Sequence, residues 1–222
     1  MRKAFTILLI LTLFSLISIE IVLSQTIERA VAYGYVETAN YGVKGYMNVY
    51  VPYVEEGYVV QSFWVAYDRK DWYEVGWMYP EPYTRDFVLF VAWYTDGVYN
   101  SKIIGTVDPA TTTSYLMAIR NKFISGLPSH IWEVYINGSL ADSQELAIQM
   151  ANKAAGQSET YEYTPFNNEF NGHFWNLKYG SAYLSYFIWV NWSGTKTIVD
   201  PPDAPYEVIL VSDTEFYTRG PS

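Results

Sequence analysis

Cysteine is absent from the 222-residue sequence, and histidine occurs only twice. The chain therefore has neither disulfides nor thiolate chemistry, and burial and hydrogen bonding must supply its stability. The His-Glu-x-x-His and Gly-x-Ser-x-Gly motifs of common zinc peptidases and serine hydrolases are also missing. His130 and His173 have no recognisable ligand or nucleophile partner, so we predict structural roles for both, with no metal and no cofactor. A Ser-His-Asp triad defined by geometry alone stays open.

Positive charge is scarce as well. The chain has 14 Lys and Arg residues against 23 Asp and Glu residues, a net charge of −9 at pH 7. Nucleic acid is excluded as an expected partner, because phosphate binding needs clustered basic residues that displace counterions. The acidic balance favours solubility and does not by itself identify a function.

The N-terminus has the charged, apolar and small-residue order of a signal peptide over residues 1–24. We therefore expect a secreted, extracellular protein whose residues 25–222 form a single domain, a length that suits a sandwich or barrel. The alternative is a retained membrane anchor, since the apolar stretch approaches the length that spans a bilayer. Sequons begin at Asn137 and Asn191, and either carries a glycan only if the host has the machinery.

Aromatic residues are abundant, at 18% of the chain with 22 Tyr. They recur in short segments of near-alternating Val and Tyr bounded by Gly and Pro, which is the pattern of antiparallel strands. The fold class predicted from this pattern is all-β, an antiparallel β-sandwich of jelly-roll or concanavalin-like type. The predicted strands are 29–38, 43–53, 58–68, 72–79, 87–94, 112–124, 131–137, 157–164, 173–179, 184–192 and 206–218.

One segment instead predicts a short helix. Asp142 begins an acidic first turn, apolar residues follow with helical spacing over 146–154, and Gly156 stands where a helix ends.

The carboxylates are the remaining candidates for catalytic residues. By strand alternation Glu74 shares a face with Trp72, Gly76 and Met78, so it can point from the sheet into an aromatic groove, where desolvation raises its pKa. The competing interpretation is that Glu74 faces water on a half-exposed sheet.

A second carboxylate, Glu159, shares a face with Gln157 and Tyr161, whereas Glu162 lies on the opposite face. If the two strands belong to one curved sheet, Glu74 and Glu159 flank a substrate, one activating water and the other protonating the leaving group or stabilising the oxyanion.

Four separated blocks of the sequence resemble the neprosin family of glutamic peptidases. They are YGVKGYMNVYVP at 41–52, QSFWV at 61–65, EVGWMYP at 74–80 and WYTDGVYN at 93–100. The resemblance implies a β-sandwich with a curved sheet that forms the cleft, and endopeptidase action on proteins or peptides at acid pH without metal or cofactor. The chain departs from the family in lacking its cysteines near the Asp-Gly block. Some family members cut after proline, a preference that this departure leaves open.

Residue by residue, the resemblance implies that Glu74 is one catalytic residue and that Glu159, in AGQSE at 155–159, is the second. Glu162 and Glu169 are the alternatives for the second position. We expect Trp72, Trp93 and Tyr161 to line the groove and contact substrate.

Two other classes of function stay open at this point. One is a non-catalytic surface, filament or carbohydrate-binding sandwich in which aromatic residues act. The other is a glycoside hydrolase, because paired carboxylates across a cleft also describe those enzymes.

Overall fold

The structure is a computed structural model that describes residues 28–68, 70–162 and 166–221. Those residues form strands and no helix, and they include no helix suited to crossing a membrane. The predicted signal peptide, residues 1–24, lies outside them. The strands are β1 Glu28–Asn40, β2 Gly42–Asn48, β3 Tyr58–Ala66, β4 Trp72–Tyr79, β5 Val88–Thr95, β6 Val98–Thr106, β7 Ser114–Ile124, β8 Leu127–Ile136, β9 Ser139–Glu145, β10 Ala151–Glu162, β11 Phe170–Tyr183, β12 Tyr186–Asn191, β13 Lys196–Asp200, β14 Glu207–Ser212 and β15 Glu215–Gly220.

Two antiparallel sheets pack face to face. The front sheet has the order β13-β1-β10-β3-β4-β5-β6, and the back sheet has the order β14-β15-β11-β2-β7-β8-β9, with β12 paired to β11. Large side chains that are fully buried between the sheets include Trp77, Phe63 and Phe174. The predicted all-β sandwich is confirmed.

Strand alternation places one side of each front strand in this core and the other side outward. On β4, Tyr73, Val75 and Trp77 are fully buried, whereas Trp72 and Glu74 retain partial exposure. The period-2 prediction for this strand is therefore confirmed.

The helix predicted from Asp142 to Gly156 is wrong. Its two ends belong to β9 and β10. The Asp142 carboxylate does not cap a helix; it accepts hydrogen bonds from the Tyr73 hydroxyl at 2.6 Å and the Lys102 amine at 3.1 Å. Asp142 therefore links the edge of the back sheet to the front sheet.

Packing also explains the small residues of this segment. A Cβ added at Gly156 would lie 2.8 Å from Cδ1 of Phe174, and Ala154 is fully buried. The small residues allow the two sheets to approach, so tertiary packing overrides the helical preference of alanine.

The other differences concern short or exposed strands. The sequence prediction missed β6, β9 and β13, and it merged β14 and β15 into one strand over 206–218. Most residues of β6 are exposed, and their alternation is correspondingly weak.

Candidate active site

A cleft crosses the outer face of the front sheet. It has a volume of about 1190 Å³ and is lined by residues from all seven strands of that sheet, from Asp200 on β13 to Tyr99 on β6. Aromatic rings form much of its wall, and two of the carboxylates that line it share a hydrogen-bond donor. These carboxylates are Glu74 and Glu159, which the structure brings into one site.

Glu74 lies on β4 opposite Trp64 of β3 and Ala92 of β5. Its Oε1 accepts hydrogen bonds from the Ser62 hydroxyl at 2.5 Å and from Gln157 Nε2 at 3.1 Å. Desolvation, and secondly the charge of Glu159, raise the pKa of Glu74 to about 7. This carboxyl therefore holds a proton at pH values where an ordinary glutamate is ionised.

Glu159 lies on β10, between Val31 of β1 and Val60 of β3, and is only 5% exposed. The Arg29 guanidinium donates a hydrogen bond to Glu159 Oε1 and forms an ion pair with it. The pKa of the Tyr161 hydroxyl is raised, first by burial and then by the charge of Glu159 and a hydrogen bond between the two side chains. Glu159 is thus surrounded by donors.

Gln157 connects the two carboxylates. Its Nε2 donates to Glu74 Oε1 at 3.1 Å and to Glu159 Oε2 at 2.9 Å. The Trp64 indole donates to Gln157 Oε1 at 2.7 Å. Because an indole N–H only donates, it keeps the amide oxygen toward itself and the amide nitrogen toward the glutamates.

A glycine on β4 permits the contact between Ser62 and Glu74. A Cβ at Gly76 would lie 2.2 Å from the carbonyl oxygen of Gln61 and 2.7 Å from the Ser62 Cβ. Only glycine allows β3 to lie this close to β4, next to the serine that contacts Glu74.

The predicted groove residues divide into two groups. Trp72 and Tyr161 line the cleft, as expected from their strand faces. Trp93 does not, because it pairs with Tyr73 in the sheet and shares its inward face. Its ring packs edge-on against Tyr73, with centroids 6.3 Å apart, so this placement corrects the expectation for Trp93.

The alternative glutamates lie elsewhere. Glu162 is buried, and its carboxylate accepts a hydrogen bond from the Tyr206 hydroxyl at 3.1 Å. Glu169 accepts from the backbone N–H of Tyr53 at 3.1 Å. Neither lines the cleft.

The histidines are also remote from the cleft. His173 stacks between Trp175 and Tyr217 and contacts Glu215 at 2.9 Å. His130 Nδ1 lies 3.2 Å from a backbone carbonyl oxygen. Among the described residues, no three His, Asp or Glu side chains cluster closely enough to hold a metal ion.

Sequence reasoning missed Arg29, Ser62 and Trp64 and did not assign a role to Gln157. Alternation along β10 already placed Gln157 beside Glu159, so that residue had a usable signal. The other three reach the site only because β1, β10, β3 and β4 are neighbours in the sheet.

Comparison with solved structures identifies the fold. Scytalido-glutamic peptidase bound to a peptide-based transition state analog matches with a TM-score of 0.58 at 13% identity, covering 87% of this chain and 99% of that chain. The same peptidase with a transition state analog inhibitor gives 0.54 at 11% identity, over 88% and 100% of the chains. SCP-B, a member of the eqolisin family of peptidases in complex with the tripeptide Ala-Ile-His, gives 0.52 at 13% identity, over 87% and 99%.

No family model matches the sequence, and no curated protein is significantly similar to it. The solved structures therefore establish the fold alone: this chain folds as the eqolisin glutamic peptidases do.

Proposed function

We propose that the protein is a secreted, acid-acting glutamic endopeptidase of neprosin-like type, in which Glu74 and Glu159 together activate a water molecule. The observation that carries the proposal is the pair itself. Two carboxylates predicted from separate parts of the sequence meet in one cleft and share the amide of Gln157. The likeness of the fold to glutamic peptidases supports the same reaction class.

The cleft suits a polypeptide substrate. It runs across the whole width of the front sheet, so an extended chain fits across the site with residues on both sides of the glutamates. Tyr58, Trp64 and Trp72 present aromatic surface for apolar side chains. This arrangement favours cleavage within a chain.

The acid range follows from the protonation of the pair. Two nearby carboxylates cannot both ionise easily, so one retains its proton well above the usual range. With the pKa of Glu74 at about 7, the site keeps one acid available throughout the acid range. Hydrolysis needs such an acid to protonate the leaving amine.

The test is peptide release from a denatured protein substrate across about pH 2 to 7, where carboxylates titrate. We expect cleavage by the wild type, and a loss of at least about a hundredfold in kcat for both Glu74→Gln and Glu159→Gln. Glu207→Gln, at an exposed position on β14, is the matched control and should retain activity.

Circular dichroism should show the same fold for all four proteins. Cleavage that survives in either cleft variant would remove the pair from the mechanism. A well-folded wild type that cleaves nothing at any pH would favour a non-catalytic binding role.

A further inference from the structure

The two glutamates of the cleft have different partners. Glu159 has a cation, since the Arg29 guanidinium forms its ion pair. Glu74 forms no ion pair with any residue in the described part of the chain, and its hydrogen-bond donors are the neutral groups of Ser62 and Gln157. One carboxylate is therefore matched to a positive charge and the other is not.

Arg29 is held in place by the sheet. It lies on β1 opposite Tyr161 of β10, two residues from Val31, which is opposite Glu159. This register carries the guanidinium over the end of β10 that bears Glu159. The ion pair is partly shielded, because the Glu159 side chain is only 6% exposed, whereas that of Arg29 is 48% exposed.

The other ionisable groups around the cleft leave this asymmetry intact. Tyr58 of β3, Tyr99 of β6 and Tyr161 of β10 have their pKa values raised, chiefly by burial, so they are neutral over the acid range. Asp200 lies on β13, where it pairs with Val31 of β1. Strand β1, which carries Arg29, therefore separates Asp200 from Glu159 on β10.

A second cation lines the cleft at a distance. Lys153 is six residues from Glu159 along β10, about 20 Å at the usual strand rise, and it pairs with Glu37. Of the cations that line the cleft in the described part of the chain, Arg29 is therefore the one that acts on the pair.

We propose that Arg29 is a positioning residue that divides the roles of the two glutamates: Glu159, which pairs with the guanidinium, acts as the general base, and Glu74, which has only neutral donors, acts as the general acid. This inference rests on the proposed peptidase function. The preference of a carboxylate for its charged form beside a guanidinium supplies the physical reason.

The assignment gives a balanced reaction. Glu159 takes one proton from water as the water oxygen forms a bond to the carbonyl carbon of the substrate. The carbon–nitrogen bond then breaks, and the proton of Glu74 passes to the leaving nitrogen. The products are a carboxylic acid and an amine, with Glu159 protonated and Glu74 ionised, and proton exchange with solvent restores the resting state.

The protonation states can be measured without turnover. Infrared spectra at about pH 5.5, between the ordinary glutamate pKa and that of Glu74, should show a protonated-carboxyl band for the wild type. We expect part of this band to disappear in Glu74→Gln. In Glu159→Gln the band should weaken less, because loss of the Glu159 charge lowers the pKa of Glu74 while burial still raises it. A larger loss of the band in Glu159→Gln than in Glu74→Gln would overturn the assignment. This test of the assignment does not depend on whether the protein cleaves peptides.

Activity provides the second test. In Arg29→Gln, loss of the cation should move the acid limb of the kcat/KM profile upward by about one pH unit or more. Arg29→Lys should restore most of the wild-type limb, because it keeps the charge. Lys196→Gln removes a cation of β13 that pairs with Glu37 and should leave the profile unchanged. A uniform loss of activity in Arg29→Gln with an unmoved limb would mean that Arg29 only supports the fold.

Discussion

At the scale of single residues, the geometry of the candidate site depends on the amide of Gln157, which contacts both glutamates. An amide has two ends of similar shape but opposite hydrogen-bonding character. The Trp64 indole resolves this ambiguity by donating to the oxygen. A residue whose indole donates to neither glutamate therefore controls how both are held.

Replacement of Trp64 by phenylalanine tests that dependence. Trp64→Phe keeps an aromatic ring but removes the N–H that orients Gln157, so the amide can rotate and release the glutamates. We expect kcat to fall on the order of ten- to a hundredfold, as misplacement of reacting groups does, with a smaller change in KM. Steady-state kinetics on a peptide substrate measure both constants.

Trp175→Phe is the control for the loss of an indole. Trp175 stacks on Tyr46 in the back sheet, outside the cleft. Equal kcat values for Trp64→Phe and the wild type would show that the orientation of Gln157 does not depend on the indole.

At the scale of elements, the site depends on how closely β3 and β4 approach. The glycine at position 76 leaves the backbone of β3 in contact with β4, and Ser62 is its direct partner in the sheet. The serine then reaches Glu74, two residues away along β4. Strand spacing and site geometry are thus coupled.

Gly76→Ala should disturb both the spacing of β3 and β4 and the geometry of the candidate site. The added methyl group would lie 2.2 Å from the Gln61 carbonyl oxygen, a distance that forces the backbone to shift. Overpacking of this kind costs about 1–3 kcal/mol, so we expect a lower free energy of unfolding together with reduced activity. Urea unfolding followed by tryptophan fluorescence measures the first quantity.

A second glycine of the front sheet serves for comparison. At Gly105 on β6 an added Cβ meets only the Leu89 side chain, at 3.6 Å, so Gly105→Ala should cost little. If Gly76→Ala were as stable and as active as Gly105→Ala, the close approach of β3 and β4 would not matter to the site.

The same scale shows what the sequence allowed us to predict. Alternation along one strand placed Glu74 on the outward face and Glu159 beside Gln157, and both placements hold. The segment from Asp142 to Gly156 was wrongly predicted as a helix because its small residues allow close contact between the two sheets. Arg29 escaped notice because pairing between distant strands is not encoded in local periodicity.

At the scale of the whole molecule, the raised pKa of Glu74 links the site to the stability of the fold. The carboxyl has a pKa of about 7 in the folded protein against 4.5 for an unperturbed glutamate. Between these values the folded protein holds a proton that the unfolded chain has released. The free energy of unfolding should therefore fall as the pH rises through this window.

Glu74→Gln removes that dependence, so the variant should gain stability over the wild type as the pH rises. We expect a gain of about 1–2 kcal/mol at about pH 7.5 and little gain at about pH 4, a figure that allows for the partial exposure of the side chain. Urea unfolding at both pH values measures the difference, with incubations short enough to limit self-digestion in acid.

Glu207→Gln, which removes an exposed carboxylate, should show the same difference from wild type at both pH values. A gain from Glu74→Gln that is equal at the two pH values would show that Glu74 ionises as freely in the fold as in the unfolded chain, and that the cleft does not store a proton.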